Sequence, residues 1–184
     1  MTKDSGLSKT IVFKSLTDAL QLQQAAITIC SRIVVVDLSY VVSFFHLHLA
    51  VYKALLNETQ GHMKTTSIAS EVLYSLSPST EISEAIEEYS ITEKTTSVAF
   101  ILIDSPEGSA EACLPIAEFR SHILRLCGDG DGKGIEVDPE EISASHCLTP
   151  EKESRIAEHF NISVEELKSS DLEECMANRL TAKG

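Results

Sequence analysis

The stretch S-V-A-F-I-L-I-D, Ser97 to Asp104, decides the fold class. Its uninterrupted apolar run, biased to β-branched and aromatic types, is the clearest strand in the chain. Upstream of it, Ile82, Ala85, Ile86 and Tyr89 follow i, i+3, i+4, i+7, a helix that Thr80 can cap. Pro78 closes an earlier helix over Thr66–Leu76, because a residue before proline is pushed out of helical geometry. Ser39 to about Asn57 is apolar nearly all round, as expected of a centrally placed helix. Ile33–Val36 reads as a short strand buried on both faces. Ser8–Lys14 has strand bias, and Ser15 with Asp18 resembles a capping box opening a helix through about Ile27.

Downstream, Leu114–Leu126 reads as helical, with Pro115 tolerated in its first turn. Gly128–Gly134 reads as a flexible Gly/Asp surface loop. Thr149-Pro150-Glu151 is a helix start, and Ser163/Glu166 and Ser170/Glu173 match capping boxes. Strands and helices mix without strict βαβ alternation. The expectation is a single α+β domain over residues 1–184, with a small mixed β-sheet packed with several α-helices.

The chain has 184 residues, 43% of them apolar, and a formal charge of −13. It is long enough for a sizeable core and too apolar for disorder. The acidity argues against autonomous nucleic-acid binding, which needs a basic face to neutralise phosphates. Five cysteines, Cys30, Cys113, Cys127, Cys147 and Cys175, are odd in number and form no CxxC. No signal-peptide pattern opens the sequence. Neither a structural disulfide nor a zinc site is expected, and a reduced cytosolic or nuclear setting follows. Ile33–Leu56 is hydrophobic, but Asp37, His46, His48 and Lys53 interrupt it, so no membrane span is expected.

Asp129–Glu140 nearly fits a calcium loop: positions one, three, six and twelve match. Against it, Lys133 stands at the fifth position, Glu136 at the eighth, and Pro139 precedes the bidentate glutamate. His46 and His48 project about 200° apart on a helix and cannot share one ion. No nucleophile motif is present. The residues therefore point to no catalytic group, no cofactor and no metal. Leu172, Cys175, Met176 and Leu180 form a C-terminal stripe that must pack on something, either the chain's own core or a partner. Lys53, His62 and Lys64 make Ala50–Ser70 the less acidic part of the chain.

From His46 to Ile103 the sequence reads H-L-H-L-A-V-Y-K-A-L, then M-K-T-T-S-I-A-S-E-V-L-Y-S-L-S-P-S-T-E-I-S-E-A-I-E-E-Y-S-I, then T-S-V-A-F-I-L-I. This block resembles TPRKB-type subunits of the KEOPS/EKC complex, with weaker similarity over Glu136–Glu141 and Phe160–Leu180. The resemblance implies a non-catalytic accessory subunit, in cytoplasm and nucleus, that binds the PRPK-type kinase/ATPase alongside the other KEOPS subunits. It also implies help in capturing tRNA for threonylcarbamoyl-adenosine modification. The tRNA contact is expected at His62, Lys64, Thr65 and Thr66. The kinase contact is expected at Pro78 and Ile82, or on the stripe of Leu172, Cys175, Met176 and Leu180. The alternative is a calcium-binding or self-associating scaffold protein built on the 129–140 loop.

Overall fold

The computed structural model describes residues 3–4, 8–104, 115–127, 134–142 and 149–183. In chain order its elements are β1 (Lys3–Asp4), β2 (Ser8–Lys14), α1 (Ala19–Ile29), β3 (Ile33–Asp37), α2 (Phe44–Gln60), α3 (Ile68–Leu76) and α4 (Ile82–Tyr89). Then come β4 (Val98–Ile103), α5 (Ile116–Cys127), β5 (Ile135–Val137), a 3₁₀ turn at Pro139–Ile142, α6 (Pro150–His159), α7 (Val164–Ser169) and α8 (Leu172–Ala182). The α+β class holds. The chain divides into two compact units, each assembled from two separate stretches of sequence.

The first unit comprises Met1–Ser39 and Ser90–Pro139 and carries the sheet. Its order is β1-β2-β4-β3, with β5 pairing β2 beyond the β1 contact. Every pairing among the described strands is antiparallel, not mixed as expected. The reason is the return path of the long helical excursion between β3 and β4. Asp37 lies opposite Val98, and Leu38 N–H donates to the Ser97 carbonyl at 3.1 Å. Departure and return therefore sit at one end of the sheet, as in a hairpin, whereas a parallel pair needs a crossover. Thr95 Oγ1 hydrogen-bonds Asp37 Oδ2, and Ser39 N–H donates to Asp37 Oδ1 at 2.7 Å, which fixes that base.

Alternation along the strands puts Ile11, Phe13, Val35, Phe100 and Leu102 on one face, packed with Leu22 and Ala26 of α1 and Phe119 of α5. Phe13 and Phe100 meet edge to face with centroids 5.9 Å apart. Val34, Val36, Ala99 and Ile101 on the opposite face are buried too, so β3 and β4 read as unbroken apolar runs. Helix α1 starts at Ala19: Asp18 is its N-cap, accepting from Gln21 N–H at 3.2 Å. Ser15 is no cap, since it adopts the left-handed conformation with φ 59°. Cys30, which ends α1, is disulfide-bonded, contrary to the expectation of no structural disulfide. Cysteine spacing along a chain does not report the Cα separation of roughly 4.4–6.8 Å on which a bridge depends.

The second unit comprises Tyr40–Tyr89 and Glu140–Gly184 and is helical. Helix α2 is capped by Ser43, which accepts from His46 N–H at 3.2 Å, and ends at Gly61 with φ 68°. That left-handed C-cap is the conformation glycine adopts without a Cβ penalty. Ser163 and Glu166 form the expected capping box of α7, while α8 is capped by Asp171 rather than Ser170. The core joins Val42 to Ile156, Phe160, Ile162, Leu172, Met176 and Leu180. No helix among the described residues is long and apolar enough to cross a membrane.

Candidate functional site

The expected nucleic-acid residues lie on the connection between α2 and α3, and one buried carboxylate organises that connection. Glu71, in the first turn of α3, is fully buried. Its Oε1 accepts from Asn57 Nδ2 at 2.8 Å. Its Oε2 accepts from the backbone N–H of Lys64 at 3.0 Å, from Thr65 N–H at 2.9 Å and from Thr65 Oγ1 at 2.8 Å. The sequence allows this because Glu71 follows the Ser67 N-cap by four residues, close to the helix N-terminus, where a negative charge is favourable. Thr65 thus holds the loop: its amide and its hydroxyl both bond Glu71. His62, Lys64 and Thr66 are exposed.

Lys64 has company that lies far off in sequence. Its Nζ stands 5.6 Å from the centroid of the Tyr74 ring. Lys183 Nζ lies 3.5 Å from the same centroid, and donates to the carbonyl oxygens of Tyr74 at 2.6 Å and Ser77 at 2.8 Å. Those carbonyls close α3, so a cation there also complements the helix dipole. Lys53 Nζ donates to the Leu180 carbonyl at 2.9 Å, doing the same for α8. Burial pushes the Lys183 ammonium down to about 8, reinforced by Lys53 and Lys64 and opposed by Glu88 and Glu71. Burial and then Lys64 also lower Lys53, against Glu71. A positive cluster of three lysines therefore forms in a chain of formal charge −13.

The expected kinase-facing residues fall in two classes. Ile82, in the first turn of α4, is 39% exposed, and Pro78 is half-buried in the loop before it. That loop is held by Ser77 Oγ donating to Glu88 at 2.5 Å and by Ser79 Oγ donating to Glu84 at 2.5 Å. The C-terminal stripe is different. Leu172, Cys175, Met176 and Leu180 are all buried and pack on Ile156, Phe160 and Ile162 of the same chain. Of the two coverings the sequence left open, the chain's own core is the one these four side chains pack on. Amphipathic spacing alone does not distinguish a helix docked on its own core from one awaiting a partner.

The two histidines of α2 also separate as their spacing requires. His46 is fully buried; its Nδ1 accepts from Val42 N–H at 3.3 Å, so Nε2 carries the proton and donates to the Leu76 carbonyl at 3.0 Å. His48 packs edge-on against Phe44. Of the candidate calcium loop Asp129–Glu140, residues 129–133 lie outside the described residues. Of its remainder, Ile135–Val137 pairs with β2, and the Glu136 carboxylate takes Arg120 Nε at 2.8 Å and Nη2 at 2.7 Å. Among the described residues no group of three or more metal-ligating side chains is assembled.

Against this geometry stand the relatives. Residues 13–184 match the family described as kinase binding protein CGI-121. The EKC/KEOPS complex subunit TPRKB of Danio rerio is 28% identical over 150 residues, covering 78% of this chain and 79% of that protein. The EKC/KEOPS complex subunit cgi121 of Schizosaccharomyces pombe is 45% identical over 56 residues, 30% of this chain and 32% of the relative. The CGI121 subunit of Kluyveromyces lactis is 40% identical over 68 residues, 37% and 43% of the two chains. With its match running from β2 to the last residue, the chain belongs to the CGI-121 family of kinase binding proteins.

Proposed function

We propose that this chain is a non-catalytic accessory subunit of an EKC/KEOPS complex. It binds the PRPK-type kinase/ATPase and, with the other subunits, helps present tRNA for threonylcarbamoyl-adenosine modification, in cytoplasm and nucleus. The observation that carries the reading is the family match over residues 13–184. For the kinase contact, the accessible candidates are Ile82, an aliphatic side chain outside the core in the first turn of α4, and the Pro78 loop before it, fixed by its own hydrogen bonds. For tRNA, Lys64 gains support from the convergence of Lys53 and Lys183, since clustered ammonium groups raise local phosphate affinity. Three lysines remain few, so the affinity belongs to the assembled complex rather than to this subunit alone.

The test is co-expression with the PRPK-type kinase of the same source, followed by size-exclusion chromatography. Co-elution at one-to-one stoichiometry supports the reading. Separate elution of two folded proteins overturns it.

A further inference from the structure

An apolar groove of about 450 Å³ runs between α6 and α7, on the helical unit. Its floor is Ala157 and Ile162, both buried, and its wall is Leu167 and Val164. Val164 opens α7 with 66% of its surface exposed, the largest value among the exposed large hydrophobic side chains described. The rim is set by the face of α6 that repeats at i, i+3, i+4, i+7 and i+8, and the charged residues of that face are Glu153 and Glu158. The cations of α6 point elsewhere: Arg155 lies 5.4 Å over the ring of Tyr40, and Lys152 does not line the groove.

The groove is built in advance of any occupant. Asn161, in the left-handed conformation with φ 52°, makes the turn from α6 to α7, and Ile162 N–H donates to the Ala157 carbonyl at 2.8 Å. Arg179 of α8 locks that turn, donating to the Asn161 carbonyl at 3.0 Å and to Glu166 at 2.8 Å. A preformed concave site loses little conformational freedom on binding. A volume of this size lies within the range of roughly 300–1,000 Å³ typical of ligand pockets.

We propose that the α6–α7 groove docks a short segment of a partner protein in which aliphatic side chains are flanked by lysine or arginine. Apolar walls select the aliphatic residues, and the two rim carboxylates select the flanking cations. This surface is distinct from Ile82 and does not depend on the kinase reading.

The probe is a fluorescein-labelled hexapeptide, Lys-Arg-Leu-Leu-Arg-Lys, titrated with the full chain and read by fluorescence anisotropy. Expected is saturable binding that weakens at least about tenfold in Val164→Glu, a variant whose fold is checked by circular dichroism and is safe because the side chain is exposed. The double variant Glu153→Lys, Glu158→Lys should lose the basic peptide at least about tenfold and gain a Glu-Asp-Leu-Leu-Asp-Glu peptide that the parent rejects. Failure of that charge exchange overturns the proposal, as does binding indifferent to Val164→Glu. Sedimentation equilibrium covers the remaining occupant: a dimer of the parent chain that Val164→Glu dissolves would assign the groove to a second copy, and would equally overturn it.

Discussion

Thr65 gives both its backbone N–H and its hydroxyl to one oxygen of Glu71, at 2.9 and 2.8 Å. The connection carrying Lys64 is therefore shaped from beneath by a carboxylate that no solvent reaches. In Glu71→Gln one acceptor oxygen becomes an NH₂ donor. Either orientation of the amide then faces donors, from Asn57 on one side or from Lys64 and Thr65 on the other. Hydrogen bonds to a charged group contribute roughly 1.5–3 kcal/mol. Urea denaturation should show Glu71→Gln less stable by about that amount, and amide exchange at Lys64 and Thr65 should accelerate beyond that at Asn57. Unchanged exchange at these two amides would mean the loop holds its shape without Glu71.

His46 sets a second expectation, in pH. Burial lowers its pKa to about 4, the Leu76 hydrogen bond opposes that shift, and the nearby His159 adds to it. The unfolded value is 6.5. Between these two values the unfolded chain binds a proton that the folded chain refuses, so stability falls as pH drops from about 6.5 toward 4. At 1.36 kcal/mol per unit the shift amounts to roughly 3 kcal/mol. His46→Gln should flatten this acid limb while lowering stability at neutral pH, because Gln cannot reproduce both bonds at the ring's spacing. Measured unfolding free energies at pH 7, 5.5 and 4.5 decide it; parallel curves for parent and variant would remove His46 as the cause.

How far the sequence could be read depends on how local each determinant is. Strands β3 and β4 were legible because burial on both faces leaves unbroken apolar runs. The α7 capping box was legible because its partners are three residues apart. Strand β5 was missed: three residues, one exposed and two partly buried, carry no periodic signal, and only the register against Val12, Phe13 and Lys14 makes them a strand. Ser15 looked like a cap because residue type does not reveal its positive φ. At the candidate site Lys64 was legible through the family motif it heads, whereas Lys183 and its bonds to Tyr74 and Ser77 span more than a hundred positions and leave no spacing to read. The C-terminal stripe showed that something covers it, without showing what.

That stripe now yields a stability prediction. Met176 is fully buried and Leu172 nearly so, both against Ile156 and Phe160. Met176→Ala removes buried thioether and methylene groups and should cost roughly 2–5 kcal/mol. Leu172→Glu places an unpaired carboxylate in the same cluster and should cost roughly 3–5 kcal/mol. Both variants should lose helical signal by circular dichroism at lower temperature than the parent. A Leu172→Glu chain as stable as the parent, but unable to bind the kinase, would return the stripe to the interface.

The exposed candidates allow the two proposed contacts to be separated. Ile82 is on α4 and exposed, so Ile82→Glu should leave the thermal transition nearly unchanged, as surface substitutions usually do within about 0.5 kcal/mol. It should abolish or sharply weaken co-elution with the kinase, because an apolar contact desolvated at the centre of an interface dominates its energy. Lys64→Glu should do the opposite. Its Nζ stands 5.6 Å from the centroid of the Tyr74 ring, beside Lys183, and not on α4. Kinase co-elution should persist, while tRNA affinity of the assembled complex drops and its log–log salt slope shrinks by about one phosphate. Measuring both variants in both assays gives a two-by-two outcome. If Ile82→Glu lowers tRNA affinity in a complex that still forms, or Lys64→Glu releases the kinase, the division of labour between α4 and the α2–α3 connection is wrong.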